Sequence, residues 1–162
     1  MFNTLKNKFM CFWKSEKSKV LRAKRDIVVY KIGESADENT FVPYYMNGFT
    51  YKTGEKYLRC PDFNSNSITV GFHGYINIIV TDIKSLQLYA VIQKNTEQKS
   101  LISIYSTLQD TLYLGKFIIP KGAIYCVNDL NEIVSNKIIY TGQYASVREV
   151  LDANLKEFFN SI

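Results

Sequence analysis

The one histidine of the chain, His73, stands in the sequence Gly-Phe-His-Gly-Tyr at residues 71–75. A single imidazole excludes a metal site built on two histidines and an acid/base pair of histidines. Between two glycines, it could lie where the backbone bends beside a pocket and donate a hydrogen bond to a ligand. The interpretation we favour is a histidine that is hydrogen-bonded within a strand or turn.

Glu132 precedes an apolar run and could join His73 and a tyrosine in a site similar to that of ADP-ribosyltransferases. In that family, His and Tyr hold the nicotinamide dinucleotide and Glu activates the attack. Such a triad is defined by geometry and not by distance in sequence. Because the chain has twelve tyrosines, the presence of one that could complete the triad is weak support for such a site. We expect Glu132 in a solvated hairpin. A nucleotide-binding or ADP-ribosyltransferase-like enzyme with a pocket near His73 is retained as an alternative function.

Other signatures of catalysis are missing from the sequence. It contains neither the G-x-x-x-x-G-K-[ST] nor the G-x-G-x-x-G phosphate loop. Cys11, Cys60 and Cys126 lack C-x-x-C spacing, and an odd number of cysteines cannot all pair within one chain. We therefore predict buried structural thiols in a reducing compartment, no catalytic residue, no metal, no cofactor and a non-enzymatic protein.

Positive charge is concentrated at the N-terminus. Residues 1–25 carry eight basic side chains and one acidic one, a net charge of +7, whereas the remaining residues carry twelve basic and fourteen acidic ones, a net charge of −2. Cations beside aromatic rings can bind phosphates with ring stacking, so a nucleic-acid binder is a second alternative. The same composition suits a peripheral membrane contact or a protein partner. The candidate binding residues in this basic arm are Lys6, Lys8, Trp13, Lys14, Arg22, Lys24 and Arg25.

The apolar residues of the arm fall at helical spacing and predict a short basic amphipathic helix, followed by a charged linker over residues 15–25. They are Phe2, Leu5, Phe9, Phe12 and Trp13. We divide the chain into this arm, residues 1–25, and a single globular α+β domain, residues 26–162. The apolar cluster near the start is too short for a secretory signal, and no segment is long enough to span a membrane.

The body of the chain is rich in aromatic residues, with twelve Tyr and ten Phe, which favours β-structure. We predict one strand at residues 27–30, ended by Gly33, and two more within residues 41–53. Further strands are predicted at residues 68–75, 101–105, 112–119, 124–127 and 133–139, with loops at 34–40 and 60–67.

Two helices are predicted in the same domain. One covers residues 82–93, and the other closes the chain after the Ser146-x-x-Glu149 capping box. The predicted fold is α+β, a strand-rich antiparallel or mixed sheet with a C-terminal packing helix and the short N-terminal helix.

Three segments together resemble small uncharacterised proteins of bacteriophages and prophages, over roughly residues 26–142. They are Ile-Val-Val-Tyr-Lys at 27–31, Gly-Phe-His at 71–73, and Ile-Pro-Lys-Gly-Ala-Ile-Tyr at 119–125 leading to Glu-Ile-Val-Ser at 132–135. The resemblance implies a phage context and supplies no catalytic or binding residue. Our first functional hypothesis is a phage-derived accessory protein, a virion component or host-interfering factor, that binds a phage or bacterial protein in the host cytoplasm or the virion.

Overall fold

The computed structural model describes residues 12–16, 18–44, 49–76, 112–129, 132–146 and 149. This part of the chain is almost entirely β-sheet and contains no helix. The predicted α+β class is therefore wrong for the described residues, because side chains that were assigned to helices or left in loops pair as strands instead. The predicted helix at residues 82–93 lies outside the described residues.

The strands of the described chain are short apart from β3, β9 and β12. In chain order they are β1 (Phe12–Trp13), β2 (Leu21–Arg22), β3 (Ile27–Ala36), β4 (Thr40–Pro43), β5 (Tyr51–Lys52), β6 (Lys56–Leu58), β7 (Ser67–Ile68), β8 (Phe72–Tyr75), β9 (Tyr113–Ile119), β10 (Ile124–Val127), β11 (Glu132–Ser135) and β12 (Lys137–Ser146).

Most of these strands form one antiparallel sheet in the order β2-β10-β11-β8-β3-β9-β12-β6. A side branch leaves this path, since β4 pairs with both β3 and β5. The branch returns to the sheet where Thr53 forms a parallel bridge with Tyr140 of β12. Strands β1 and β7 form a separate two-stranded sheet. Aromatic side chains from the branch are thereby enclosed between β3, β9 and β12.

The central strand β3 runs beyond its predicted end. The sequence placed the stop at Gly33, but Gly33 pairs with Tyr113 of β9 and with Pro43 of β4. A Cβ atom at Gly33 would lie 2.5 Å from the ring of Phe41, and one at Gly115 of β9 would lie 2.4 Å from the same ring. These two glycines therefore make room for an aromatic side chain, and neither interrupts its strand.

The described residues form two core clusters. Half of the buried residues of the larger one are aromatic, namely Phe41, Tyr51, Phe72, Phe117 and Tyr140. The smaller one consists of Phe12, Ile68, Cys126 and Val134, and it joins the two-stranded sheet to β10 and β11. Successive residues of a strand point to opposite faces, so the large sheet is covered on both sides. The prediction that Cys126 is buried is confirmed, whereas Cys60 is exposed.

The N-terminal helix prediction fails where the structure describes it. Phe12 and Trp13 form β1, with Phe12 opposite Ile68 and Trp13 opposite Ser67. Their burial alternates as in a strand, since Phe12 is buried and 57% of Trp13 is exposed. Spacing alone could not show this, because the pairing partner lies more than fifty residues along the chain. Residues 1–11, and with them the rest of the predicted helix, lie outside the described residues.

Several strand predictions in the body are confirmed. The hairpin over residues 41–53 appears as β4 paired with β5, and the strands over 112–119 and 124–127 appear as β9 and β10. The predicted strand over 133–139 is divided at Asn136. Asn136 exchanges hydrogen bonds with Ile124, accepting from its N–H through Oδ1 at 2.8 Å and donating to its carbonyl at 3.1 Å. This fixes the turn between β11 and β12.

The capping box predicted at the C-terminus has the expected hydrogen bonds. The Glu149 N–H donates to Ser146 Oγ at 3.1 Å, and the Ser146 N–H donates to Glu149 Oε2 at 3.0 Å. This reciprocal pair is the geometry that begins a helix. The helix predicted to follow lies outside the described residues.

Candidate functional site

A cavity of about 440 Å³ opens at the β2 edge of the large sheet. This volume falls within the range of sites that hold small ligands. Half of its lining residues are cationic and none of the described ones is acidic. The lining of this edge cavity comprises Leu21, Arg22, Lys24, Arg25, Ile27 and Tyr125.

Strand pairing builds the wall of the edge cavity. Leu21 lies opposite Tyr125, and Arg22 lies opposite Ile124 of β10. The pairing continues past the end of β2, since the Ala23 N–H donates to the Ala123 carbonyl at 2.8 Å. A tyrosine more than a hundred residues away in sequence is thus held beside the cations of the N-terminal segment.

The turn that carries Lys24 and Arg25 is fixed at both ends. The Ala23 carbonyl accepts from the Gly122 N–H at 2.8 Å, and Asp26 Oδ1 accepts from the Lys121 N–H at 2.8 Å. Asp26, the acidic residue nearest in sequence to the two cations, therefore accepts a hydrogen bond from a backbone N–H. Both cationic side chains are exposed to solvent. The turn presents two exposed cations to anything that enters the cavity.

Arg22 forms a hydrogen bond within the protein through part of its guanidinium. Its Nη1 donates to the Gly122 carbonyl at 2.9 Å, which orients the guanidinium along the turn between β9 and β10. A guanidinium has five N–H donors, so this bond leaves capacity for an anion. Three of the cations predicted as binding residues, Arg22, Lys24 and Arg25, are thus brought together by the fold.

The structure separates Trp13 and Lys14 from the edge cavity. Trp13 belongs to the two-stranded sheet, and its carbonyl accepts from Asn128 Nδ2 at 3.2 Å. Lys14 donates through Nζ to the Phe63 carbonyl, so its ammonium is engaged within the protein. Neither residue lines the cavity. Lys6 and Lys8 lie outside the described residues.

His73 lies in β8 and is buried. Its Nε2 is 2.9 Å from the Thr69 carbonyl, whereas Nδ1 has no hydrogen-bond partner among the described residues. Burial, with the nearby positive charges of Lys31 and Arg59, lowers the pKa of the imidazole from 6.5 to about 4. His73 is therefore neutral at pH 7, and the favoured interpretation of a structural histidine agrees with its bond to Thr69.

Glu132 shares a sheet face with His73, as the triad hypothesis requires. It lies opposite Tyr75, and His73, two residues before Tyr75, lies opposite Val134. The expectation that Glu132 is solvated is wrong, because only 6% of the residue is exposed. Strand β8 pairs with it on one side. Burial raises the pKa of the Glu132 carboxyl to about 7, and a hydrogen bond with Asn128 opposes the shift. The causes of the shift in the pKa of His73 are its burial and the cations Lys31 and Arg59, and Glu132 is not among them.

Replacing Glu132 with glutamine should reveal two opposing pH effects. Between pH 4.5 and 7 the unfolded chain has lost the Glu132 proton and the folded chain retains it, so stability falls as pH rises. Between pH 4 and 6.5 the unfolded chain binds a proton at His73 and the folded chain does not, so stability rises with pH. The native protein should show a nearly flat profile between pH 4.5 and 6.5. Glu132→Gln should show a rising one, with a slope of at most about 1.4 kcal/mol per pH unit.

The measurement is urea unfolding at half-unit intervals of pH, with the exposed Glu55→Gln as the control variant. Parallel profiles for Glu132→Gln and the native protein would show that the carboxyl titrates normally.

A further polar cluster was missed by the sequence analysis. Lys31 points into the aromatic core, near the buried Tyr51 and the partly buried Arg59. The signal was present in the pattern of β3, where Lys31 alternates with Tyr30 and Ile32 and so shares a face with Val29. A lysine at an inward position of a central strand is rare and deserved notice.

No protein-family model, curated protein or solved structure matches this chain. Within the described ranges, no group of three or more His, Cys, Asp or Glu side chains could hold a metal ion. The same ranges contain no helix with the length and apolar character needed to cross a membrane. The candidate functional site is accordingly defined by the geometry and charge of the edge cavity.

Proposed function

We propose that this protein binds single-stranded nucleic acid through the edge cavity. The observation that carries the proposal is that Arg22, Lys24 and Arg25 line one cavity together with Tyr125, which is partly buried against the core. Cations supply the contacts to phosphate, and an aromatic ring offers a surface on which a base can stack. Leu21 and Ile27 add apolar surface for the base and sugar.

The chemistry of the lining suits a phosphate-bearing ligand. Two of the three cations are arginines, whose planar guanidinium binds phosphate oxygens in pairs. A single strand can place an unpaired base against Tyr125, whereas the bases of a duplex are stacked on one another and cannot reach the ring. Protein binding as a phage accessory factor, the first hypothesis from the sequence, stays a prediction.

The double variant Lys24→Gln/Arg25→Gln should weaken binding of a fluorescently labelled single-stranded oligonucleotide about tenfold or more at moderate salt. The slope of log K against log salt should also become shallower by roughly 0.7 for each phosphate contact that is lost. Fluorescence anisotropy over a series of salt concentrations measures both quantities. Arg22 is left unchanged because its bond to Gly122 contributes to the fold.

Lys52→Gln/Lys56→Gln is the matched control, since it removes the same charge from exposed positions on β5 and β6. The control should bind like the native protein. Equal losses in the two double variants would mean that only net charge matters, and the proposal would then fail. Tighter binding of duplex than of single strand would refute the role of Tyr125.

A further inference from the structure

The edge cavity has the size of a site for one small ligand and offers one ring to a base. Its volume of about 440 Å³ lies near the lower end of the range of roughly 300–1,000 Å³ that is usual for such sites. Among the described residues that line it, Tyr125 alone is aromatic. Proteins that bind along a single strand stack successive bases on several rings, and their sites cover roughly 4–16 nucleotides. The edge cavity therefore suits one base and not a run of bases.

The main chain of Arg22 adds a hydrogen-bond donor at the open edge of the large sheet. In the described chain, β2 is the last strand of that sheet, and β10 is its neighbour. The next residue, Ala23, bonds toward β10, since its N–H donates to the Ala123 carbonyl at 2.8 Å. Ile124, which lies opposite Arg22, exchanges its hydrogen bonds with Asn136 on the far side of β10. Backbone groups alternate in direction along a strand, so the Arg22 N–H points away from β10, toward the edge.

The positive charge of the edge cavity exceeds the charge of one internal phosphate. Three cations line the cavity, namely Arg22, Lys24 and Arg25. An internal phosphodiester carries one negative charge. A terminal phosphomonoester carries about −1.5 to −2 at pH 7, because its second pKa is about 6. A terminal phosphate and the diester next to it together carry about −2.5 to −3, which balances the three cations.

We infer that the edge cavity binds the phosphorylated end of a single strand, an inference that rests on the proposed function and names the part of the strand that is bound. The terminal base stacks on Tyr125. Its phosphomonoester accepts hydrogen bonds from the Arg22 N–H and from the cations of the lining. A monoester presents three acceptor oxygens, so it can accept from several of these donors together. The internal nucleotides lie outside the cavity.

Competition against a fluorescently labelled single strand measures this preference at pH 7. The competitors are unlabelled oligothymidylates of one length that differ only at their ends. They carry a 5′-phosphate, a 3′-phosphate or hydroxyl groups at both ends, or they are closed into a circle. One of the two phosphorylated forms should bind about tenfold or more tighter than the hydroxyl form, as expected for one or two added charge-assisted hydrogen bonds. The circle, which has no end, should bind no better than the hydroxyl form.

Two modified competitors test the charge and the base separately. A terminal phosphate esterified with a methyl group keeps its phosphorus atom and loses its second negative charge, so it should bind like the hydroxyl form. A phosphorylated strand that lacks its terminal base should bind about fivefold or more weakly, because the stacking on Tyr125 is lost. The matched control lacks a base in the middle of the strand and should bind like the intact phosphorylated strand.

The variants locate the preference in the protein. Lys24→Gln/Arg25→Gln should reduce the preference for the phosphorylated end to about twofold or less, since it removes two of the three cations of the cavity. Lys52→Gln/Lys56→Gln removes the same charge from exposed positions outside the cavity and should keep the preference.

Equal binding of the phosphorylated, hydroxyl and circular forms would overturn the inference and leave the proposed function intact. The inference also fails if the two phosphorylated forms gain equally, because the total charge of the strand would then decide the affinity. It fails again if the methyl ester keeps the full gain, if the missing terminal base has no effect, or if both double variants lose the preference to the same extent. Displacement of the labelled strand by none of the competitors would refute the proposed function and the inference with it.

Discussion

Lys31→Met should make the protein more stable at pH 7 and should remove a rise in stability between pH 7 and pH 9. The pKa of Lys31 is about 7 in the folded protein against 10.5 for an ordinary lysine, mainly because the side chain is buried. Between these values the unfolded chain holds a proton that the folded chain has lost, so the native protein gains stability as pH rises. The slope is about 1.4 kcal/mol per pH unit for one proton.

Methionine has a similar length and no charge, so it fills the same space beside Gly115, which lies opposite Lys31 in β9. The variant loses the hydrogen bond to the His73 carbonyl, and it also loses the cost of holding an ammonium among aromatic rings. Removing a buried charge stabilises the folded state by more than the loss of one hydrogen bond destabilises it. The free energy of unfolding should therefore increase.

Urea unfolding at pH 7, 8 and 9 tests both parts of this prediction, with the exposed Lys56→Met as the control. The range stops at pH 9 because burial raises the pKa of Tyr51 and Tyr140 above the ordinary value of 10. Their ionisation in the unfolded chain lowers stability at higher pH. Parallel profiles for Lys31→Met and the native protein would show that Lys31 keeps an ordinary pKa.

Phe117→Ala should be the most damaging single truncation in the described core. The centroid of the Phe117 ring lies 5.0 Å from the ring centroids of three neighbours, Phe41, Tyr51 and Tyr140. These neighbours come from β4, β5 and β12, so Phe117 connects the side branch to the main sheet. Its removal leaves a cavity that rings in fixed strands cannot fill, and the expected loss is about 3–5 kcal/mol.

The loss is measured as the change in the free energy of unfolding in urea. Tyr144→Ala is the control, since it removes an exposed ring from β12 and should cost about 1 kcal/mol or less. Phe117→Leu should fall between the two. A loss below about 1.5 kcal/mol for Phe117→Ala would show that the core collapses around the gap and that the aromatic cluster is not tightly packed.

The sequence predicted strands well where the signal is local. The apolar run of residues 112–119, followed by Pro120, Lys121 and Gly122, defines β9 and its end without reference to the rest of the chain. The prediction failed at Phe12 and Trp13, whose spacing fits a helix. These two residues form a strand because they pair with Ser67–Ile68. The structure of such short segments depends on pairing with distant strands, and that pairing cannot be deduced from one sequence.

The candidate site was predictable only in part, for a similar reason. Charge alone indicated Arg22, Lys24 and Arg25 as candidate binding residues, because cations that are close in sequence are easily seen. Tyr125 could not be added, since its place beside Leu21 depends on register between strands a hundred residues apart. Trp13 and Lys14 were included on the assumption of one continuous arm, but strand pairing directs them elsewhere.

The pairing of β3 with β9 joins Ile27 to Ile119, and that of β2 with β10 joins Arg22 to Ile124. On the ribosome, β3 can pair early with β4 and then with β8, but its longest pairing, with β9, must wait for the last third of the chain. Topologies of this kind fold slowly and expose unpaired apolar strands during synthesis. Early termination of translation would yield fragments that can assemble neither the edge cavity nor the aromatic core.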